Sequence, residues 1–88
     1  MWTLTLVTRA GCHLCEEAEA MLAGLRADHE FGLELRDVDA DPALAAAYTD
    51  HVPVLLIEGK LLSYWFVDRE KVVSALASGP DGITVPPL

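Results

Sequence analysis

The chain has 88 residues, 52% apolar and 23% charged, which suffices for one small folded domain and leaves no room for a second core. Its net charge of −8 argues against nucleic acid and against anionic membrane surfaces as partners. No apolar run reaches membrane-spanning length and no basic leader opens the chain, so a cytoplasmic location is expected.

Residues 2–8, rich in Thr and Val, predict a strand that would be central if flanked on both sides. Arg9-Ala10-Gly11 follows, and then Cys12-His13-Leu14-Cys15 opens a helical pattern. Leu14, Ala18, Met21, Leu22 and Leu25 recur at helical spacing over residues 14–25. Cys15 shares that stripe through Ala18 and Leu22 and is expected to point inward, leaving Cys12 at the exposed tip. Glu16, Glu17 and Glu19 load the first turns with acid, as a helix N-terminus favours. After Gly32, residues 33–38 predict a second strand, and Asp41-Pro42 starts a short helix running to Tyr48. A third strand is expected over 52–57, a tight turn at Glu58-Gly59-Lys60, and a fourth, antiparallel strand over 61–65. Asp68 caps a last helix carrying Val72, Val73 and Leu76, which Gly79-Pro80 stops. The order is βαβαββα, an α/β fold whose four-stranded mixed sheet is flanked by helices. Its opening β-α-β requires a right-handed crossover. Residues 1–78 form the domain and 79–88 a Pro- and Gly-containing tail.

Two thiols in a cytoplasmic chain point to redox or metal chemistry rather than a structural bridge. A thiol at a helix start faces unpaired N–H groups and the positive end of the helix dipole, which favour its reactive thiolate. A partly protonated His13 would add to this, and the charges of Glu16 and Glu17 oppose it. A second cysteine one turn on lies within disulfide reach.

A CxxC at a strand-to-helix junction, followed by the X-Pro strand start Val52-Pro53, resembles the glutaredoxin branch of the thioredoxin superfamily. The likeness covers residues 2 to 78 and is nearest to small glutaredoxin-like proteins of bacteria and plants. It implies that Cys12 attacks and Cys15 resolves. Pro53 would follow a cis bond beside the disulfide, and the Val52 backbone would pair with a peptide-like substrate. Arg9 falls where glutaredoxins carry a basic residue for the glutathione carboxylate, and Asp68 is the counterpart of their glutathione-binding acid. Two departures stand out: His13-Leu14 replaces Pro-Tyr between the cysteines, and Ser63-Tyr64-Trp65-Phe66-Val67-Asp68 replaces the Gly-Gly-x-Asp segment.

The activity implied is thiol–disulfide exchange in a monomer without a tightly bound cofactor. Its substrate would be a disulfide-containing protein or a glutathione mixed disulfide, with glutathione or a thioredoxin-type reductase as reductant. The competing function is a non-enzymatic thioredoxin-fold module that binds a partner or senses redox state. Zinc is disfavoured because His13 lies between the two thiols and no second CxxC exists. Asp37-Val38-Asp39-Ala40-Asp41 imitates a calcium loop, but Pro42 stands where such a loop needs glycine and Tyr48 where it needs glutamate. These aspartates are better taken as a strand end and a helix cap. Trp65 and Phe66 are expected first as core packing, and second as an apolar lip selecting protein over glutathione. His51, two residues before Pro53, would then lie near the cysteines.

Overall fold

The computed structural model describes residues 2–79. Strand β1 (Trp2–Thr8) leads into helix α1 (His13–Leu25), then β2 (Phe31–Asp37), a 3-10 turn at Val38–Ala40 and α2 (Pro42–Tyr48). Strands β3 (Val54–Ile57) and β4 (Lys60–Tyr64) form a hairpin before α3 (Arg69–Ser78). The sheet order is β2-β1-β3-β4, which makes β1 central. Strand β1 runs parallel to β2 in an unbroken register from Trp2–Phe31 to Thr8–Asp37. It runs antiparallel to β3, which is antiparallel to β4. The expected α/β architecture is therefore present.

Alternation along the strands sorts side chains between the two faces, since successive residues point to opposite sides. Leu4 and Leu6 of β1, with Leu55 and Ile57 of β3, meet Ala18, Leu22 and Leu25 of α1 and Val72 and Ala75 of α3. Val7, Val54 and Leu56 face the other way, toward Val38 and the partly buried Leu44, Ala45 and Tyr48. Complete burial of one such leucine contributes about 2 kcal/mol.

Local chemistry sets the element ends. The Asp41 carboxylate accepts from the N–H groups of Ala43 and Leu44 and caps α2, with Pro42 in its first turn. Asp68 caps α3 by accepting from the Glu70 N–H at 2.9 Å. At Glu58-Gly59 both residues have positive φ, 48° and 81°. That two-residue turn matches the twist of the hairpin strands.

Boundaries of β2, β3 and β4 differ from the sequence expectation, β4 running Lys60–Tyr64 rather than 61–65. Strand β2 begins at Phe31, before Gly32, because Phe31 is buried in the core and pairs with Trp2. Val38 belongs to the 3-10 turn, started by the Asp37 carboxylate accepting from the Asp39 N–H. Strand β3 begins at Val54 rather than Val52, since Pro53 has no N–H to give to a ladder. The tail beyond Gly79 lies outside the described residues.

Candidate functional site

Parallel β1 and β4 end at the same edge of the sheet, where antiparallel β3 begins. The topology thus gathers Cys12, Pro53 and Trp65 at one end. The chain leaves β1 through a turn closed by the Cys12 N–H donating to the Arg9 carbonyl at 3.2 Å. Gly11 occupies its third position with φ of 77°, a left-handed conformation that costs a glycine little.

Cys12 is the N-cap of α1, and its sulfur accepts from the Cys15 N–H at 3.2 Å. Cys12 and Cys15 form a disulfide with Cα atoms 5.2 Å apart. The pair is asymmetric: Cys15 is 2% exposed on the buried stripe with Ala18, Leu22 and Leu25, while Cys12 is half-buried. His13 points into solvent beside Glu17 at 3.4 Å and Glu16 at 3.9 Å. The side chains of those glutamates are exposed, so water screens their charge from the sulfurs.

The Val52–Pro53 peptide bond is cis. The Trp65 N–H donates to both the Pro53 carbonyl, at 2.9 Å, and the His51 carbonyl, at 3.2 Å. Its indole stacks on His51 with ring centres 5.6 Å apart and planes 10° from parallel, and the indole N–H donates to the Asp50 carbonyl at 3.0 Å. Tyr64 contacts both rings edge to face. Trp65 holds a φ of 66°, a conformation that costs a bulky residue about 1–2 kcal/mol.

The expectation that Trp65 and Phe66 fill the core is corrected: they are 47% and 72% exposed. The left-handed turn at Trp65 ends β4 and swings both rings out of the sheet. Leu14 departs likewise from the buried stripe and is 37% exposed. Leu14, Ala18 and Met21 of α1 face Trp65 and Phe66 across an open groove of about 240 Å³, with Glu17 in its lining.

Arg9 and Asp68 are held within the fold. The Arg9 guanidinium donates to both Asp39 oxygens at 3.0 Å and to the Thr49 hydroxyl at 2.6 Å. The hydrogen bond from Arg9 keeps the Asp39 carboxyl below the usual carboxylate range, and Asp39 raises Arg9 in turn. Thr49 carries no sequence signal, being 40 residues from Arg9, and Asp39 lies in the run expected to be a strand end and a helix cap. The Asp68 carboxylate faces the start of α3. Among the described residues no cluster of His, Cys, Asp and Glu could hold a metal ion.

Residues 3–77 match the family model described as a glutaredoxin-like domain (DUF836). An uncharacterized protein of Mycobacterium tuberculosis, Rv0508, is 35% identical over 82 residues, spanning 88% of this chain and 84% of that one. Among solved structures, protein Ne2328 of Nitrosomonas europaea superposes with a TM-score of 0.74 at 37% identity, covering 83% of this chain and 88% of its own. XcR50 of X. campestris gives 0.70 at 37% identity, over 88% and 99%. A Halobacterium salinarum thioredoxin variant gives 0.69 over 97% and 78%; at 23% identity it speaks to the fold alone. With a thioredoxin-like sheet, a CxxC pair capping α1 and a family match across nearly its whole length, the chain belongs to the glutaredoxin-like family of the thioredoxin superfamily.

Proposed function

We propose that this protein is a dithiol–disulfide oxidoreductase in which Cys12 attacks and Cys15 resolves. The observation that carries this reading is the asymmetry of the pair. Cys12 is half-buried with its sulfur accepting from a helix-start N–H, and Cys15 is buried one turn away. In the dithiol form that N–H and the dipole of α1 favour the Cys12 thiolate. The thiolate attacks a substrate disulfide sulfur, forming a mixed disulfide and expelling one substrate thiolate. Cys15, deprotonated, then attacks the Cys12 sulfur, expels the second thiolate and closes the Cys12–Cys15 bond. Two electrons pass to the substrate, and glutathione or a thioredoxin-type reductase returns them.

Pro53 and the Val52 backbone would align an extended substrate beside Cys12. Arg9 and Asp68 are the residues a glutathione site would use. Because Asp39, Thr49 and the start of α3 already engage them, a protein disulfide is the favoured substrate over a glutathione mixed disulfide. A cytoplasmic setting would supply the reducing partners.

Equilibrating the protein across glutathione redox buffers and weighing each species tests the assignment. Reversible loss of two protons is expected, with a midpoint of about −200 to −270 mV. Cys12→Ser should abolish turnover and Cys15→Ser should accumulate mixed disulfides. Full turnover by the Cys12→Ser protein would sink the assignment and leave a partner-binding module.

A further inference from the structure

The groove between α1 and the segment after β4 opens at Leu14, two residues beyond Cys12, and its lining residues are apolar in type except for Glu17. Exposing two aromatic rings to water is unfavourable, and the left-handed backbone at Trp65 adds to the cost. The stacking on His51 and the bond to the Asp50 carbonyl nevertheless fix the indole in place, so one wall is preorganised. Met21 on the opposite wall is unbranched and adapts to different partners.

Charge narrows the occupant. Glu17 lines the groove, Glu16 precedes it on the same helix turn, and Asp68 follows the aromatic segment. The whole chain carries −8. Arg9, the cation nearest to Cys12 in sequence, is clasped by Asp39 and Thr49. Glutathione is a small anion and gains little from apolar walls with an acidic lining.

We propose that the groove receives an extended protein segment in which apolar and basic residues flank the substrate cysteine. An apolar side chain would enter between Met21 and Phe66, and a basic one would lie over Glu17, while the cysteine sulfur meets Cys12. This rests on the oxidoreductase reading above and adds to it the class of substrate.

The test uses the reduced full chain and three probes, each a mixed disulfide with nitrothiobenzoate. These are a peptide with Leu and Arg around its cysteine, the same peptide with Glu for Arg, and glutathione. Cys12 attacks the probe's own thiol sulfur and releases the coloured nitrothiobenzoate, so the attack rate is read directly. Bis(hydroxyethyl) disulfide, uncharged and small, reports thiol reactivity without docking. The Leu/Arg peptide should react fastest. Phe66→Ala should slow it about tenfold and leave the hydroxyethyl disulfide unchanged. Glu17→Gln should shrink the preference for Arg over Glu about threefold. Leu35→Ser, an exposed apolar site on the far edge strand, should change none of the rates. Equal rates for the Leu/Arg peptide and glutathione, or an equal Phe66→Ala loss on the hydroxyethyl disulfide, would overturn the docking proposal alone. Failure of Cys12 to react with any probe would overturn the oxidoreductase reading and the docking proposal together.

Discussion

The two faces of the sheet are built unequally. On the face under α1 and α3, eleven buried side chains among the described residues form one continuous core. On the face under α2, four do so, and α2 itself buries none of its residues. The helix that carries the CxxC pair therefore stands on the stronger face: Cys15 belongs to the stripe that continues through Ala18, Leu22 and Leu25. The weaker face is held more by polar contacts, namely the caps at Asp37 and Asp41 and the clasp of Arg9 by Asp39 and Thr49. Under the proposed disulfide exchange the helix start would have to stay aligned through each attack, and packing on the large core would supply that rigidity.

Cavity-forming substitutions on the two faces would break this comparison most directly. Leu22→Ala empties a fully buried site between α1 and the sheet and should cost about 3 kcal/mol in denaturant unfolding. Val38→Ala, also fully buried but under the short α2, should cost about 1.5 kcal/mol, because less is deleted and the thinner layer can collapse onto the gap. Equal losses would mean that the faces contribute alike.

A smaller effect is expected where α3 ends. A Cβ at Gly79 would stand 2.6 Å from the Trp2 indole, and the residue holds φ of 78°. Gly79→Ala should lower stability by about 1–2 kcal/mol, read by thermal unfolding, with little change in the rate at which Cys12 reacts.

The smallest effect concerns the clasp. The Asp39 carboxyl is depressed in the folded chain, so its contribution is present above the unfolded carboxylate value and fades as pH falls through the folded one. Arg9 is raised and stays charged throughout that window. Asp39→Asn should therefore melt slightly lower than the wild type at neutral pH, and the two should converge in acid. Both side chains are substantially exposed, so added salt should also narrow the gap. A gap that persists in acid would assign the clasp's role to shape rather than charge.

Much of this architecture was legible along the chain because its signals are local. The stripe from Cys15 to Leu25 repeats at the helical period, Asp41-Pro42 and Asp68 carry their own capping chemistry, and a β-α-β order admits one handedness of crossover. Cys12 and Cys15 were legible as a pair within disulfide reach for the same reason, since both the helix start and the spacing are read within a few residues. Trp65 and Phe66 were not. Aromatic content by itself favours burial, and nothing within the segment announces that Trp65 will take a left-handed backbone and turn outward. Its partners, the carbonyls of Asp50, His51 and Pro53, lie more than ten residues upstream and meet it only through the antiparallel pairing of β3 with β4.

The division follows the range of the forces involved. Helical period, capping, turn chemistry and the CxxC spacing act over a few residues, and they determined the element order, the family likeness and the inward and outward cysteines. The Arg9–Asp39–Thr49 clasp and the groove join residues that are 30 or more apart in the chain. Only closing the sheet in the order β2-β1-β3-β4 decides which distant side chains become neighbours, and so which exposed groups share the end of the sheet that carries Cys12.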